Sequence, residues 1–268
     1  MVKRLIVILL CTASLAYAVS LKDLVARISA DVVPAASAIG GAVDLDGSTE
    51  YFADNSTTLL NSATSFSFSV WVYSRSIAPE YQPIFANNGT YRIVLSTSGR
   101  YGLPRNRYYV TTFFAGVTYG VVTPNYTTNK WQHLCATQSP TTWDIWLDGV
   151  SLGAASRSMG TVRQDSVFRL GGDPFSAVYK FNGMIDDAGI YINRVLTSNE
   201  VAEIYGAGTS PKKLTSLSTG TNGLVRYWKL DDGISNSSAT QALDTVSGTY
   251  ATGTAIGSGD WTNGIVPQ

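Results

Sequence analysis

The sequence predicts an all-β chain, a two-sheet antiparallel sandwich of the jelly-roll kind, with a short helix near the N-terminus and one short internal helix. Three observations carry this. Apolar and polar residues alternate with a period of two in one segment after another from Ala42 onward. Gly, Ser and Thr separate these segments, and Asp-Gly pairs stand at 46–47 and 148–149, where a tight reversal is expected. Charged residues are only 14% and aromatic residues 11%, which suits many short buried strands better than long charged helices.

Taken in order, Met1 to Arg4 is basic, Leu5 to Leu15 is apolar and Ala16-Tyr17-Ala18 is a small-residue cleavage pattern. This is the layout of an export signal. Removal of residues 1–18 would leave 250 of 268 residues. The alternative is an uncleaved anchor helix, although the apolar run falls short of the roughly 20 residues that cross a bilayer. Cys11 would leave with the signal, so Cys135 would have no partner for an intramolecular disulfide. In residues 19–41, Leu21, Leu24, Val25 and Ile28 share one helical face, Ser20 and Asp23 fit a cap, and Pro34 closes the run. An amphipathic helix and linker are expected there, packing on the main domain or on a second subunit.

Residues 42–208 carry the strands. "AVDLDGSTEYF" reads as strand, turn, strand; "FSFSVWVYS" sets Phe66, Phe68, Val70 and Val72 against Ser67, Ser69, Trp71 and Tyr73. "KWQHLCAT", "TTWDIWLDGVSLG", "SVFRLGG" and "GMIDDAGIYIN" follow the same rule. Thr197 and Glu200 form a capping box for one internal helix, with Val201 and Ile204 facing inward and Gly206 or Gly208 ending it. Residues 209–268 hold one further strand, "LVRYWKLDD", and a Gly/Ser/Thr-rich tail that is expected to complete the same domain.

The runs "FSFSVWVYS", "KWQHLCAT", "WDIWLDGVSLG", "FRLGGDP" and "FNGMIDDAGIYINRVLTSNEVAEIYGAG", in that order, resemble the concanavalin A-like lectin/glucanase superfamily, in its laminin-G-like and pentraxin-like branch. The likeness covers about Ala42 to Gly208. Its most specific part combines Gly183, Ile185-Asp186, Ile190-Tyr191, Arg194, Leu196 and the 200–205 helix. "GLVRYWKLDDG" with "DTVSG" downstream also resembles a family element, displaced here to the end of the chain. The resemblance implies a domain used mainly for binding glycans, proteins or surfaces, with Ca²⁺ at a sheet edge in some members and glycoside hydrolysis in some distant relatives.

Zero formal net charge offers no bulk attraction for nucleic acid or an anionic membrane. Glycoside hydrolysis needs two carboxyls flanking the sugar bond. The chain has only Glu50, Glu80, Glu200 and Glu203, and Asp186 and Asp187 are consecutive. A regular strand would turn those two to opposite faces, so they are expected to end a strand. His133 and Cys135 share one strand face with no evident third partner. The reading is therefore non-enzymatic. Asp46, Asp186 and Asp187 are the metal candidates, for Ca²⁺ by resemblance. Ligand candidates are Arg100, Tyr101, Arg105, Arg107 and Tyr108, because sugars stack on aromatic rings and Tyr and Arg recur at interfaces. Asn55, Asn88, Asn125 and Asn236 open glycosylation sequons, relevant only in a eukaryotic secretory host. The expected function is extracellular or surface recognition of a carbohydrate or a protein partner, with no nucleic acid. The alternative is a structural surface protein assembled as a homo-oligomer through the N-terminal helix and tail. A glycoside hydrolase is disfavoured.

Overall fold

The computed structural model describes residues 40–77, 81–87, 91–97, 107–114, 117–156, 162, 164, 167–208, 210–231, 240–256 and 260–263. The expected signal and N-terminal helix lie outside them. Among the described residues sixteen strands form two antiparallel sheets. The strands are β1 (Gly41–Asp46), β2 (Tyr51–Asp54), β3 (Phe66–Ser74), β4 (Gln82–Asn87), β5 (Tyr91–Thr97), β6 (Arg107–Phe114), β7 (Val117–Asn125) and β8 (Trp131–Gln138). They continue with β9 (Thr142–Leu147), β10 (Val150–Ser156), β11 (Phe168–Leu170), β12 (Asn182–Ile192), β13 (Leu224–Trp228), β14 (Gln241–Leu243), β15 (Tyr250–Thr254) and β16 (Trp261–Asn263). One sheet runs β10-β9-β8-β3-β12-β1-β16, with β13 also on β12; the other runs β14-β15-β2-β11-β4-β5-β6-β7.

The alternation read from the sequence points its apolar set between the sheets. Phe66, Phe68, Val70 and Val72 of β3 meet Phe85, Phe168 and Leu170 of the opposite sheet in one core that also holds Trp143 and Trp228. Phe68 stacks on Phe85 at 5.3 Å between ring centroids and touches Phe168 at 5.8 Å. The outer face of β3 is not solvated, although a half-polar strand suggests it. Ser67, Ser69 and Trp71 are buried too. The cover is α1 (Ser198–Tyr205) and the segment after it. Leu196, Val201, Ile204, Leu214 and Leu217 pack on Cys135, Tyr191 and Tyr227 in a second apolar cluster. The helix begins as expected: the Thr197 side chain accepts from the Glu200 N–H, Glu200 reaches back to the Thr197 N–H, and Gly206 closes it in a left-handed conformation. Arg194 fastens this cover, donating to Glu200, to Thr219 Oγ1 at 2.7 Å and to the Gly220 carbonyl at 3.2 Å.

Two sequence expectations change. Asp148-Gly149 does form a hairpin turn, with positive φ at both residues (51° and 79°). Asp46-Gly47 does not, because β1 and β2 lie in different sheets. There the Asp46 carboxylate accepts from the N–H groups of Ser48 (2.7 Å) and Thr49 (2.9 Å), making a corner that carries the chain between sheets. The second change concerns the twin acids. They do not end β12; they interrupt its middle. Between Asp186 and Gly189 the pairing with β3 slips by one residue, and Asp187 has φ 44°. This is a β-bulge. One edge of β12 pairs with β1 before the bulge (Ile185 opposite Val43) and with β13 after it (Ala188 opposite Trp228). The displaced "LVRYWKLDD" element thus enters the first sheet at its centre, while β14 and β15 extend the second sheet beside β2.

Phe68→Ala should lower the unfolding free energy by about 3–5 kcal/mol through the lost burial and the cavity left behind. Thr197→Ala should cost about 1 kcal/mol through the lost cap. Urea denaturation of both variants checks the order; equal losses would contradict the core assignment.

Candidate functional site: a cationic aromatic cleft

A cleft of about 500 Å³ opens on the outer face of the second sheet. Its floor follows from strand alternation. Phe52 and Asp54 of β2 are buried, so Tyr51 and Ala53 turn outward. Thr254 of β15 is opposite Tyr51, and Arg169 of β11 is opposite Ala53 on one side and Ala86 on the other. Two alanines leave room for the Arg169 side chain to lie across the sheet. Its guanidinium sits over the Tyr51 ring, 4.2 Å from the centroid, and the Lys180 ammonium sits 5.1 Å from the same centroid. Both are cation–π geometries.

The wall is the loop that follows β11. Gly172 bridges Lys180, Phe181 N–H donates to the Gly171 carbonyl at 2.9 Å, and Asp173 N–H to the Tyr179 carbonyl at 3.1 Å. A side chain at Gly172 would press on Tyr51, since a Cβ there would stand 2.9 Å from the Tyr51 Cβ. The Asp173 carboxylate accepts from the Phe175 N–H at 2.8 Å, an Asx turn that presents Phe175 at the mouth with 67% of its surface exposed. Lys180 Nζ donates to the Ala177 carbonyl at 2.9 Å, and Arg169 Nη1 to the Asp173 carbonyl at 3.0 Å. The Arg169 Nε is buried and has no hydrogen-bond partner. Among the described residues lining the cleft there is no carboxylate.

The residues singled out in the sequence lie elsewhere. Arg100, Tyr101 and Arg105 fall outside the described residues. Tyr108 is a correction: it is 0% exposed, stacks on Tyr126 at 4.5 Å and shares a 3.0 Å hydrogen bond with Ser74. Strand alternation turns it into the core. Arg107 stands on β6, three strands from β11, roughly 14 Å away at the usual strand spacing. Asn55 and Asn125 are exposed, and Asn88 and Asn236 are outside the described residues.

The metal candidates do not converge. Asp46 pairs with Asn182, four positions along β12 from Asp186, roughly 13 Å at strand rise. Its carboxylate is engaged by Ser48 and Thr49, and these hydrogen bonds hold it far below the usual carboxylate range against the opposing effect of burial. The bulge corrects the expectation of opposite faces for Asp186 and Asp187. Asp186 stands opposite Trp71, and Asp187 accepts from the Tyr227 hydroxyl, so both turn to the covered outer side of the first sheet. They are 1% and 5% exposed, and burial pushes Asp187 well above its ordinary range. Among the described residues no group of three or more His, Cys, Asp or Glu is placed to hold a metal ion. His133 is fully buried against Ser69 (Nε2 to Oγ, 2.9 Å), and burial lowers it to about 3. Burial also pushes the Cys135 thiol up. Both side chains are fully buried. Glu200 is spent on the helix cap and Arg194, which lower it to about 2 in spite of its burial.

Sequence reasoning missed Tyr51, Arg169, Phe175 and Lys180. The available signal was "FRLGGDPF", a glycine turn followed by an aromatic residue in a polar loop.

The architecture and its cover define a lectin-like β-sandwich. The family model Laminin_G_3, of the concanavalin A-like lectin/glucanases superfamily, matches residues 46–202, and the chain belongs to that family. A search of curated protein sequences finds no match. Among solved structures, a provisionally assigned carbohydrate-binding protein from Bacteroides ovatus is 17% identical with a TM-score of 0.57, covering 80% of this chain and 58% of its own. This chain thus spans less than two thirds of that protein. Domain 4 of the extracellular arabinanase AbnA from Geobacillus stearothermophilus, in complex with arabinotriose, is 20% identical with a TM-score of 0.49, covering 60% of this chain and 74% of its own. A heptameric pentraxin from Limulus polyphemus is 12% identical with a TM-score of 0.47, covering 62% and 82%. At these identities the likeness is one of fold.

Beside the cleft, burial raises Glu50 from 4.5 to about 7; Asp46, Asp260 and Asp44 add to this, and the Asp46 N–H opposes it. The folded chain therefore binds more protons than the unfolded one between those values. This contribution to stability is complete below pH 4.5 and lost as pH rises through about 7. Glu50→Gln keeps an acceptor for the Asp46 N–H and should reduce the fall in urea midpoint across that window, leaving the fall due to Asp187 and Asp148, which has the same sign because burial raises both. An unchanged slope would show that Glu50 titrates normally.

Proposed function

We propose that this chain is a non-catalytic recognition domain, acting outside the cytoplasm, that binds carbohydrate in the cleft between Tyr51, Arg169, Phe175 and Lys180. The observation that carries this reading is Phe175. A largely exposed aromatic ring is held by an Asx turn at the mouth of a cleft with polar donors on its floor. Aromatic faces receive the C–H faces of sugar rings, and a few fixed donors orient the hydroxyls; a volume of several hundred Å³ suits a short saccharide. The absence of carboxylates among the described lining residues argues against glycoside hydrolysis there, since that reaction needs two. The provisional carbohydrate-binding assignment of the Bacteroides ovatus structure agrees with this reading. The export-signal pattern at residues 1–18 supports an extracytoplasmic location, and no described helix is long and apolar enough to cross a membrane.

A glycan array probed with the full chain should identify bound oligosaccharides, and Phe175→Ala should weaken that binding about tenfold or more. The melting temperature should hardly move, because an exposed side chain contributes little to stability. Binding unaffected by Phe175→Ala would remove the cleft from consideration. Size-exclusion chromatography with light scattering should show a monomer that binds glycan; a ring or fibre would favour the structural alternative.

A further inference from the structure

Resting on the reading of the cleft as a glycan site, we propose that its ligand is an anionic saccharide, with a carboxylate or sulfate group held by Arg169 and Lys180 and a ring face on Phe175. The chain as a whole is neutral, so this is a local charge. Both cations are gathered over one aromatic ring, at 4.2 Å and 5.1 Å from its centroid. Like charges repel, and an opposite charge between them removes the repulsion. Among the described residues neither Arg169 nor Lys180 forms an ion pair, although five such contacts join other residues. Asp173, whose charge acts on Lys180, is buried and its carboxylate accepts from the Phe175 N–H. The described lining therefore carries two positive charges and no carboxylate, while Asp173 and Asp46 act on Lys180 from outside that lining.

The donor inventory points the same way. Arg169 has five N–H groups, and the protein accepts one, at the Asp173 carbonyl. Its Nε–H is buried without a partner among the described residues, a costly arrangement. Lys180 has three N–H groups, with the Ala177 carbonyl at 2.9 Å and the Tyr179 carbonyl at a marginal 3.5 Å. These carbonyl contacts hold the ammonium over Tyr51. A guanidinium held over a ring can still meet a planar carboxylate or a sulfate with its remaining N–H groups. Neutral sugars offer only hydroxyls, which add no charge to offset the pair. Burial and the nearby Arg169 favour loss of the Lys180 proton, against the opposing effects of Tyr51, Asp173 and Asp46, and a bound anion would add to that opposition.

The experiment is isothermal titration of the full chain with oligogalacturonate as the carboxylate probe, sulfated dextran as the sulfate probe, and neutral galacto-oligosaccharide and unsulfated dextran as counterparts. At least one acidic probe should bind about tenfold or more tightly than its neutral counterpart, and added salt should weaken it. Arg169→Gln and Lys180→Gln should each lower acidic-probe affinity about tenfold, whereas Lys180→Arg should retain most of it. If Arg169→Gln melts early, Arg169→Lys keeps the charge, and Lys180→Gln alone decides. Which acidic probe binds distinguishes carboxylate from sulfate. Equal affinity for acidic and neutral probes, or no loss in the glutamine variants, would overturn the anionic assignment; a loss in Phe175→Ala would then leave the cleft as a neutral-glycan site. Failure of both acidic probes to bind also overturns it. Unchanged binding in Phe175→Ala and in both glutamine variants would overturn the cleft reading itself.

Discussion

The bulge at Asp186-Asp187 is the constraint on which the first sheet depends. β12 must serve three partners, with β3 along one edge and β1 and β13 in succession along the other. The change of neighbour coincides with the bulge: β1 pairs up to Ile185 and β13 from Ala188, with Asp187 in a left-handed conformation between them. The Asp186 carboxylate accepts the Asp187 N–H at 2.8 Å, and Tyr227, from the incoming β13, donates to Asp187. Across the same seam Asp231 accepts the Gly41 N–H at 2.5 Å. The acidic pair is thus the fitting by which the C-terminal part of the chain joins the sheet. Its burial follows from that position and closes it to solvent chemistry.

The second sheet makes the complementary arrangement. Its inner face supplies Phe52, Phe85, Phe168 and Leu170 to the core, which frees the outer face to hold the cleft. There the small residues Ala53 and Ala86 and the bare Gly172 give room to Tyr51, Arg169 and Lys180. The loop is anchored on the sheet by Tyr179, which meets Tyr81 edge-on at 5.1 Å. A site built on strands and a hydrogen-bonded loop is preorganised, which limits the ordering cost of binding.

The titratable groups divide accordingly. Asp187, His133 and Cys135 are buried, and each is shifted toward its neutral form. Glu200 and Asp46 are ionised and consumed by a cap and a corner. Arg169 and Lys180 are the charged groups that line the cleft, Lys180 with only 3% of its surface exposed. That division suits recognition rather than proton transfer, for which an acid or base must meet the substrate.

Local pattern determined much of the fold. The period of two located β3, β8, β9 and β12, Asp148-Gly149 marked its hairpin, and Thr197 with Glu200 marked the start of α1, because strand alternation, turn conformation and capping are all short-range physics. The family was legible for the same reason: its motifs lie on those elements. Asp46-Gly47 misled, since the same dipeptide serves a hairpin or a corner and only the partner strand decides which. The face assigned to Asp187 misled because a bulge is imposed by neighbours distant in sequence. Tyr108 misled because an amphipathic ring satisfies a core or a surface equally well, although alternation along β6 turns it inward. The cleft escaped altogether. Tyr51, Arg169, Phe175 and Lys180 meet through the pairing of β2 with β11 and the closure of one loop. Nothing local records that meeting, because charges and rings become a site only when strand register brings them over one another.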